Sequence, residues 1–364
     1  MFGEKGFAFI DSIIALTILL VSVLALTSLF VFATNISENN KLKTIAVNLA
    51  GQKIEKIKSL QFSDVGLENG NPPGLLQHNI SQTVNGIVFN IKTQVRWVDD
   101  ASDGLTPQDS DPRDYKQATV DVSWQAGSLP GVFKLSTAIA KQSEDQIAQG
   151  GNIDVIVKDT AGALLEDAKV DITTGPSSPV NDWTDAAGKV FFAMLQASNT
   201  VGDYSLTVSK SGYIVRPDLV LQTTTIANGE TRSLEFIMAK PGSLSVTLVD
   251  PLGNTIQKQS KLTLNNPDSG QVKFNQPNGY FDIQQMFPGS WEVIPFATSY
   301  DYTGAPITVE ILPNNSASLT ITMTPKPQGE LKLNVYDGVT GNKIPDDDVT
   351  ITDIATSDAI TAKT

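Results

Sequence analysis

The N-terminal apolar segment constrains this chain more than any other feature. Uncharged residues run from Ser12 to Thr34, directly after a lone acid at Asp11. As a helix this run would be roughly 35 Å long, which is enough to cross a lipid bilayer. A secretory signal is cut after its apolar core. Here a short polar leader ends at Gly6, before the core, so cleavage there would leave the apolar helix in the mature protein.

The order Lys5, Gly6, Phe7 and Asp11, followed by a Leu-rich and β-branched helix, resembles the N-terminus of type IV pilins and pseudopilins. The resemblance covers residues 1–145 and implies that a membrane prepilin peptidase cuts after Gly6 and methylates the amine of Phe7. It also implies that Asp11 pairs with the N-terminal amine of a neighbouring subunit. The family usually has Glu where this chain has Asp11.

An acid inside the hydrocarbon layer needs a partner. A lone carboxylate there costs about 2.5–3.5 kcal/mol on insertion scales, so Asp11 is a candidate assembly residue. The alternative is an ordinary N-terminal membrane anchor. In that case Asp11 would lie near the lipid headgroups, close to a helix start where acids are favoured.

Helical periodicity continues beyond the membrane segment. Apolar residues recur every three or four positions at Leu42, Ile45, Ala46, Leu49, Ala50, Ile54 and Ile57. This spacing predicts one long helix over 7–62, with 7–34 in the membrane and the remainder packed under a sheet. The alternative is two helices broken around 35–40.

Residues 80–141 predict the sheet of a pilin-like module over 63–145. The dipeptide Asn85-Gly86 predicts a tight hairpin turn. The alternation in 117–125 places Val120, Val122 and Trp124 on one face. Three or four antiparallel strands against the amphipathic half of the helix would form one small core.

A repeat of about 90 residues follows. Similar segments begin at Gly151, Gly242 and Gly329, and each has a β-rich strand, an aspartate and a glycine turn before a second strand. The aspartates are Asp159, Asp250 and Asp337, and the glycines are Gly162, Gly253 and Gly341. Such units are typical of small antiparallel sandwiches.

The repeats resemble carboxypeptidase-regulatory-like or Cna-B-like modules, which are transthyretin-like and Ig-type sandwiches. The fold class expected is therefore an α+β pilin-like module followed by all-β sandwiches. The divisions expected are a leader over 1–6, sandwiches over 150–240 and 241–326, and an incomplete copy over 327–364. An incomplete sandwich exposes strand edges, so the sequence is interpreted as a fragment, or else a partner supplies the missing strands.

Composition excludes several classes of chemistry. The chain has no cysteine, which rules out disulfides and thiolate sites, and its net charge of -13 offers no basic footprint for nucleic acid. No nucleophile elbow, phosphate-binding loop or zinc-protease motif is present. The single histidine, His78, has no obvious partner pattern and is expected at the surface. We therefore expect a protein that is not an enzyme and has no cofactor.

One acidic loop is a candidate calcium site. The segment 98–115 is rich in carboxylates, and crowded oxygen ligands on a flexible loop suit calcium. The proposed ligands are Asp99, Asp100, Asp103 and Asp109. The alternative is a solvated acidic loop between two strands. Likewise, the four tryptophans are expected in core packing rather than in a carbohydrate-binding platform.

These features together predict a minor-pilin-like or pseudopilin-like subunit of a type IV pilus or a type II secretion-like filament. It would be a single-pass membrane protein with an extracytoplasmic C-terminal part at the cell surface. Its partners would be other pilin subunits and the prepilin peptidase, and its sandwiches would serve display or adhesion. The alternative is a membrane-anchored surface-binding protein that never polymerises.

Overall fold

A computed structural model describes residues 5–102, 104, 111–126, 129–141, 150–327, 333–345, 348–352 and 359–363. One long helix leads into a four-stranded sheet, and two β-sandwiches and a hairpin follow. This confirms the expected fold class of a helix-and-sheet module followed by all-β sandwiches.

The helix α1 (Lys5–Lys58) is continuous. It passes through 35–40 without a break, so the alternative of two helices is wrong. It ends four residues before the expected Phe62, because the last turn tightens: the Leu60 N–H donates to the Ile57 carbonyl at 3.1 Å. A single 3₁₀ turn (Phe62–Asp64) follows.

The second half of α1 packs on an antiparallel sheet of order β1-β2-β3-β4. The strands are β1 (Asn79–Val84), β2 (Ile87–Val98), β3 (Tyr115–Ala126) and β4 (Leu129–Ala140). The predicted turn joins β1 to β2, with Asn85 at φ +53° and Gly86 at φ +77°, as a two-residue hairpin requires.

The core between helix and sheet contains the residues that the periodicity singled out. Its fully or nearly fully buried members include Leu42, Ala46, Leu49, Ala50, Ile54, Ile57, Phe89, Ile91, Val120, Val122 and Trp124. We call this unit, the second half of α1 with β1–β4, the helix-backed sheet.

The first sandwich has two four-stranded sheets, of orders β10-β12-β5-β8 and β11-β9-β6-β7. Its strands are β5 (Gly151–Asp159), β6 (Lys169–Thr174), β7 (Val180–Trp183), β8 (Lys189–Leu195), β9 (Tyr204–Ser209), β10 (Ile214–Val215), β11 (Gln222–Thr224) and β12 (Thr231–Ala239). A 3₁₀ turn (Pro217–Leu219) lies between β10 and β11. Tyr204, Phe192 and Phe236 are fully buried between the two sheets.

The second sandwich repeats this arrangement, with sheets β16-β13-β20 and β15-β14-β17-β18-β21, and β19 paired to β17. Its strands are β13 (Gly242–Val249), β14 (Ser260–Asn266), β15 (Gly270–Gln276), β16 (Tyr280–Met286), β17 (Gly289–Ala297), β18 (Tyr300–Asp301), β19 (Ile307–Ile311), β20 (Ser316–Thr322) and β21 (Thr324–Pro325). Trp291 is 2% exposed at its centre and donates from Nε1 to the Phe287 carbonyl at 2.9 Å.

The sandwiches are not wholly antiparallel, which corrects the expectation. In each copy the last long strand returns to lie parallel to the first: β12 pairs with β5, and β20 with β13. A parallel pair needs a long crossover, and here most of the sandwich lies between the two strands. Alternation and turn spacing report each strand separately, so they do not specify this direction.

The repeated aspartate turn is present in all three copies, but the glycine follows the aspartate by three residues in the first two copies and by four in the third. In each, one carboxylate oxygen of Asp159, Asp250 or Asp337 accepts two backbone N–H groups of the following turn at 2.7–2.9 Å. The glycines Gly162, Gly253 and Gly341 have φ between +71° and +86°. The third copy also contains the hairpin of β22 (Asp348–Thr352) and β23 (Ala359–Lys363).

Candidate assembly helix and interdomain joint

The first half of α1 exposes an apolar surface on all sides. From Asp11 onward the helix is long and apolar enough to span a membrane, by length and composition. Its large side chains are between 45% and 70% exposed: Ile13, Ile14, Leu16, Ile18, Leu19, Leu20, Val21, Val23, Leu24, Leu26, Leu29, Phe30, Val31 and Phe32. A surface of this size on a monomer indicates a contact with lipid or with other helices.

Hydroxyl groups in the apolar half are satisfied within the helix. Thr17, Ser22 and Thr27 donate to carbonyls three or four residues earlier at 2.7–2.8 Å, and Ser28 and Thr34 do the same. Hydrocarbon offers no hydrogen-bond partners, so these bonds lower the cost of placing the segment in a membrane.

The structure places the predicted leader and assembly residues on this helix. Gly6 and Phe7 lie in its helical backbone, and Asp11 is exposed. Residues 1–4 of the predicted leader lie outside the described residues. Asp11 is the single acid between Lys5 and Glu38, so its carboxylate stands alone on the apolar half.

The predicted calcium loop is described only in part. Asp103 and Asp109 lie outside the described residues. The carboxylate of Asp100 accepts from the Ser102 N–H at 3.0 Å and from its hydroxyl at 2.7 Å, and these bonds lower the pKa of Asp100. Asp99 is half-buried next to it.

A second acid of the same loop is already neutralised. Asp111 pairs with Arg113 at 2.6 Å and with Lys141 at 3.5 Å. Among the described residues, no group of three His, Asp or Glu side chains is placed to hold a metal ion. Calcium binding by Asp99, Asp100, Asp103 and Asp109 therefore stays a prediction.

His78 is not at the surface, and that expectation is wrong. It is 7% exposed, at the contact between the helix-backed sheet and the first sandwich. Its ring stacks on the indole of Trp183, with centroids 3.6 Å apart and planes 8° apart. Its Nε2 lies 3.3 Å from a carboxylate oxygen of Asp167, and its Nδ1 lies 2.9 Å from the Thr93 carbonyl.

We call this contact the joint. Its residues from the segment before β1 are Asn69, Asn71 and His78, and those from the sheet are Lys92, Arg96 and Lys134. Its residues from the sandwich are Glu166, Asp167, Asn181, Trp183, Asp185 and Ala193. Two neutral hydrogen bonds also cross it: Asn71 Nδ2 donates to the Ala193 carbonyl at 2.9 Å, and the Asn181 N–H donates to the Asn69 carbonyl at 2.7 Å.

The charges of the joint are segregated by sign. Among the described residues, each Lys or Arg that forms an ion pair across the joint lies on the sheet, and its carboxylate partner lies on the sandwich. Arg96 pairs with Asp185 at 2.6 Å, and Lys92 with Asp167 at 3.4 Å. Glu166 lies 4.0 Å from Lys92 and 3.9 Å from Lys134. Complementary charge of this kind fixes the relative register of two surfaces.

A cleft of about 630 Å³ opens beside the joint, between β2 and strands β7 and β8. Its lining includes Gln94, Trp97, Asp154, Asp182 and Trp183. Asp182 is 6% exposed, and burial raises its pKa to about 7, although the Trp183 N–H and the charge of Arg96 act in the opposite direction.

The tryptophans divide between the cores and the cleft. Trp124 and Trp291 are buried in cores, as expected. Trp97 and Trp183 are half-buried and line the cleft. The sequence analysis missed the joint because its members lie far apart in the chain: His78 and Asp167 are separated by 89 positions, as are Arg96 and Asp185.

No family model and no curated protein matches the chain. Solved structures similar to it include the Streptococcal ancillary pilin, at 12% identity over 58% of this chain and 76% of that one, with a TM-score of 0.26. The minor pilin GBS52 of Streptococcus agalactiae is 12% identical over 50% of this chain and 100% of its own, with a TM-score of 0.24. The shaft pilin SpaA of Lactobacillus rhamnosus GG is 11% identical over 50% and 99%, with a TM-score of 0.22. Nothing about the function of this chain follows from TM-scores this low.

Proposed function

We propose that this chain is a minor pilin or pseudopilin-like subunit of a type IV pilus or a type II secretion-like filament. One observation carries the proposal. A single unbroken helix exposes an apolar half from Asp11 to Ile36 and packs its second half under a four-stranded antiparallel sheet. Such a helix can stand first in lipid and then among the helices of other subunits.

Asp11 gives the assembly its proposed register. Its carboxylate is alone on the apolar half, and pairing with the N-terminal amine of a neighbouring subunit would offset its cost in hydrocarbon. The prepilin peptidase would create that amine by cutting between Gly6 and Phe7. The new amine of Phe7 would then be methylated. The helix-backed sheet and the sandwiches would lie outside the cytoplasm, at the cell surface, for display or adhesion. In this proposal the protein performs no catalytic step.

The first test is the mature N-terminus. Mass spectrometry of the protein from its host should show a chain that begins at methylated Phe7. Gly6→Ala should leave the leader uncut, because the peptidase needs the glycine, and the mass should rise accordingly. A normal mature mass in this variant would contradict the proposal.

The second test is assembly. Asp11→Ala should insert into the membrane normally but co-purify with filaments at a clearly lower level, because the pairing carboxylate is lost. Glu38→Ala is the matched control, since Glu38 is an exposed acid on the same helix beyond the apolar half. Equal incorporation of both variants would remove the pairing role. Absence of the wild-type chain from filaments would favour the non-polymerising surface-binding protein.

A further inference from the structure

Both ring nitrogens of His78 face oxygen atoms that can only accept hydrogen bonds. Nδ1 faces the Thr93 carbonyl at 2.9 Å, and Nε2 faces the Asp167 carboxylate at 3.3 Å. A neutral imidazole carries one N–H and can donate to one of them, whereas the imidazolium donates to both. The protonated ring is therefore the form that satisfies this position fully.

The stacking partner favours the same form. The ring of His78 lies flat on the indole of Trp183 at a centroid distance of 3.6 Å. A cation on an indole face is stabilised by the negative face of the π-system, and more strongly where water is excluded. His78 is 7% exposed, so water screens this contact little.

Other charged groups around the ring oppose or support its protonation. Lys92, whose Nζ lies 3.4 Å from the same Asp167 carboxylate, disfavours a positive charge on the ring. Glu166, 4.0 Å from Lys92, favours that charge. Three charged groups lie further from the ring. Lys134 contacts Glu166 and Asp121. Lys169 lies 6.0 Å from the Trp183 ring centroid, and Asp182 precedes Trp183 in β7. Asp167 is the one group of these in direct contact with the imidazole nitrogen.

We propose that His78 is a pH-sensitive latch of the joint, whose protonation tightens the attachment of the first sandwich to the helix-backed sheet. Loss of the imidazolium proton as the pH rises removes one of the two hydrogen bonds and the cation–indole contact. The ion pairs of Lys92 and Arg96 remain, so the joint loosens without separating. In mildly acidic surroundings, the latch would fix the orientation of the first sandwich relative to the helix-backed sheet.

The absence of cysteine allows a direct test on the full chain in detergent micelles. Gln82→Cys on the helix-backed sheet and Asn228→Cys on the first sandwich introduce exposed labelling sites. With a spin label on each cysteine, pulsed electron–electron double resonance measures the distance between the two labels across the joint. We expect a narrow distribution at about pH 5.5 and, at about pH 8, an open population larger by roughly tenfold, for the loss of one charged hydrogen bond.

Variants assign the response to the histidine. In His78→Gln the distribution should no longer change with pH, and in Asp167→Asn the change should be weaker. Asp218→Asn is the matched control, because this carboxylate pairs with Arg216 inside its own sandwich, and it should respond as the wild type does. A pH response that persists in His78→Gln, or one that disappears in Asp182→Asn, would overturn the proposal.

A second measurement does not depend on any variant at the joint. The chain has a single histidine, so ¹⁵N nuclear magnetic resonance of the labelled imidazole reports on His78 alone. We expect both ring nitrogens to carry protons at about pH 5.5 and one to lose its proton in step with the broadening of the distance distribution. A ring that already carries a single proton at the lower pH would refute the latch.

Discussion

At the scale of single residues, Asp182 carries a clear consequence for stability. Burial raises its pKa from 3.8 to about 7, so the folded state binds a proton that the unfolded chain releases more readily. The sign follows from linkage: the stability of the fold falls as pH rises from about 4 to about 7 and stays low above that range. Stability is lost because burial disfavours the charged carboxylate, which is the form that Asp182 takes at higher pH.

Replacing this acid by its neutral isostere should remove the loss. Asp182→Asn should be more stable than the wild type at about pH 8, by at most about 4 kcal/mol, and its stability should vary less between pH 4 and 7. Denaturant unfolding at several pH values measures this. Asp171→Asn, on the neighbouring strand and half-buried, is the control, and its stability should still fall as the pH rises from about 4 to about 7. A variant less stable than the wild type at pH 8 would contradict the assignment.

At the scale of elements, α1 has two halves with opposite surroundings. The first half exposes apolar side chains in every direction, whereas the second buries a single stripe under the sheet. Within the part of the chain that the structure describes, only the second half packs against another element, so the stability of the helix-backed sheet depends on it. In the proposed function, the exposed half contacts lipid or other helices.

A pair of substitutions on the second half tests this division. Ile54→Ala removes a side chain that is 4% exposed and should destabilise the helix-backed sheet by about 2–4 kcal/mol through lost burial and a cavity. Val47→Ala, at a position 39% exposed on the same helix, should cost well under half as much. Thermal unfolding of the two variants side by side makes the comparison, and equal costs would show that Ile54 is not in the core.

At the scale of the whole molecule, the joint sets the orientation of the first sandwich relative to the helix-backed sheet. The described ion pairs that hold the first sandwich to the helix-backed sheet place their cations on the sheet and their carboxylates on the sandwich. Partly exposed pairs of this kind are individually weak and are partly screened by salt. Their combined effect is orientation rather than large stability.

The Arg96–Asp185 pair is the shortest of these contacts and the best one to measure. A double-mutant cycle with Arg96→Gln and Asp185→Asn should give a coupling of about 0.5–1 kcal/mol at low salt. The asparagine can still accept the turn hydrogen bonds from Ala187 and Lys189, so the cycle isolates the ion pair. The coupling should vanish at about 1 M salt. A coupling that is independent of salt would indicate packing instead of charge.

Local patterns determined most of the architecture from the sequence. The spacing of Leu42, Ala46 and Ile57 predicted the buried stripe of α1, and Asn85-Gly86 predicted the first hairpin. The repeated Asp–Gly turns predicted three copies of one unit, and in each copy the aspartate accepts a backbone N–H two residues later. These signals depend on neighbours within a few residues, where helix, strand and turn each have their own period.

The joint, the burial of His78 and the parallel strand pairs depend on contacts between distant parts of the chain. The sequence around His78 shows no partner for it, and it contacts Asp167 and Trp183 where two separate units meet. Neither periodicity nor turn chemistry records which surfaces will meet. The sequence therefore determined the units and their order, whereas the placement of charges across the contact between units was decided by tertiary packing, because that is where the low dielectric and the opposing surface first exist.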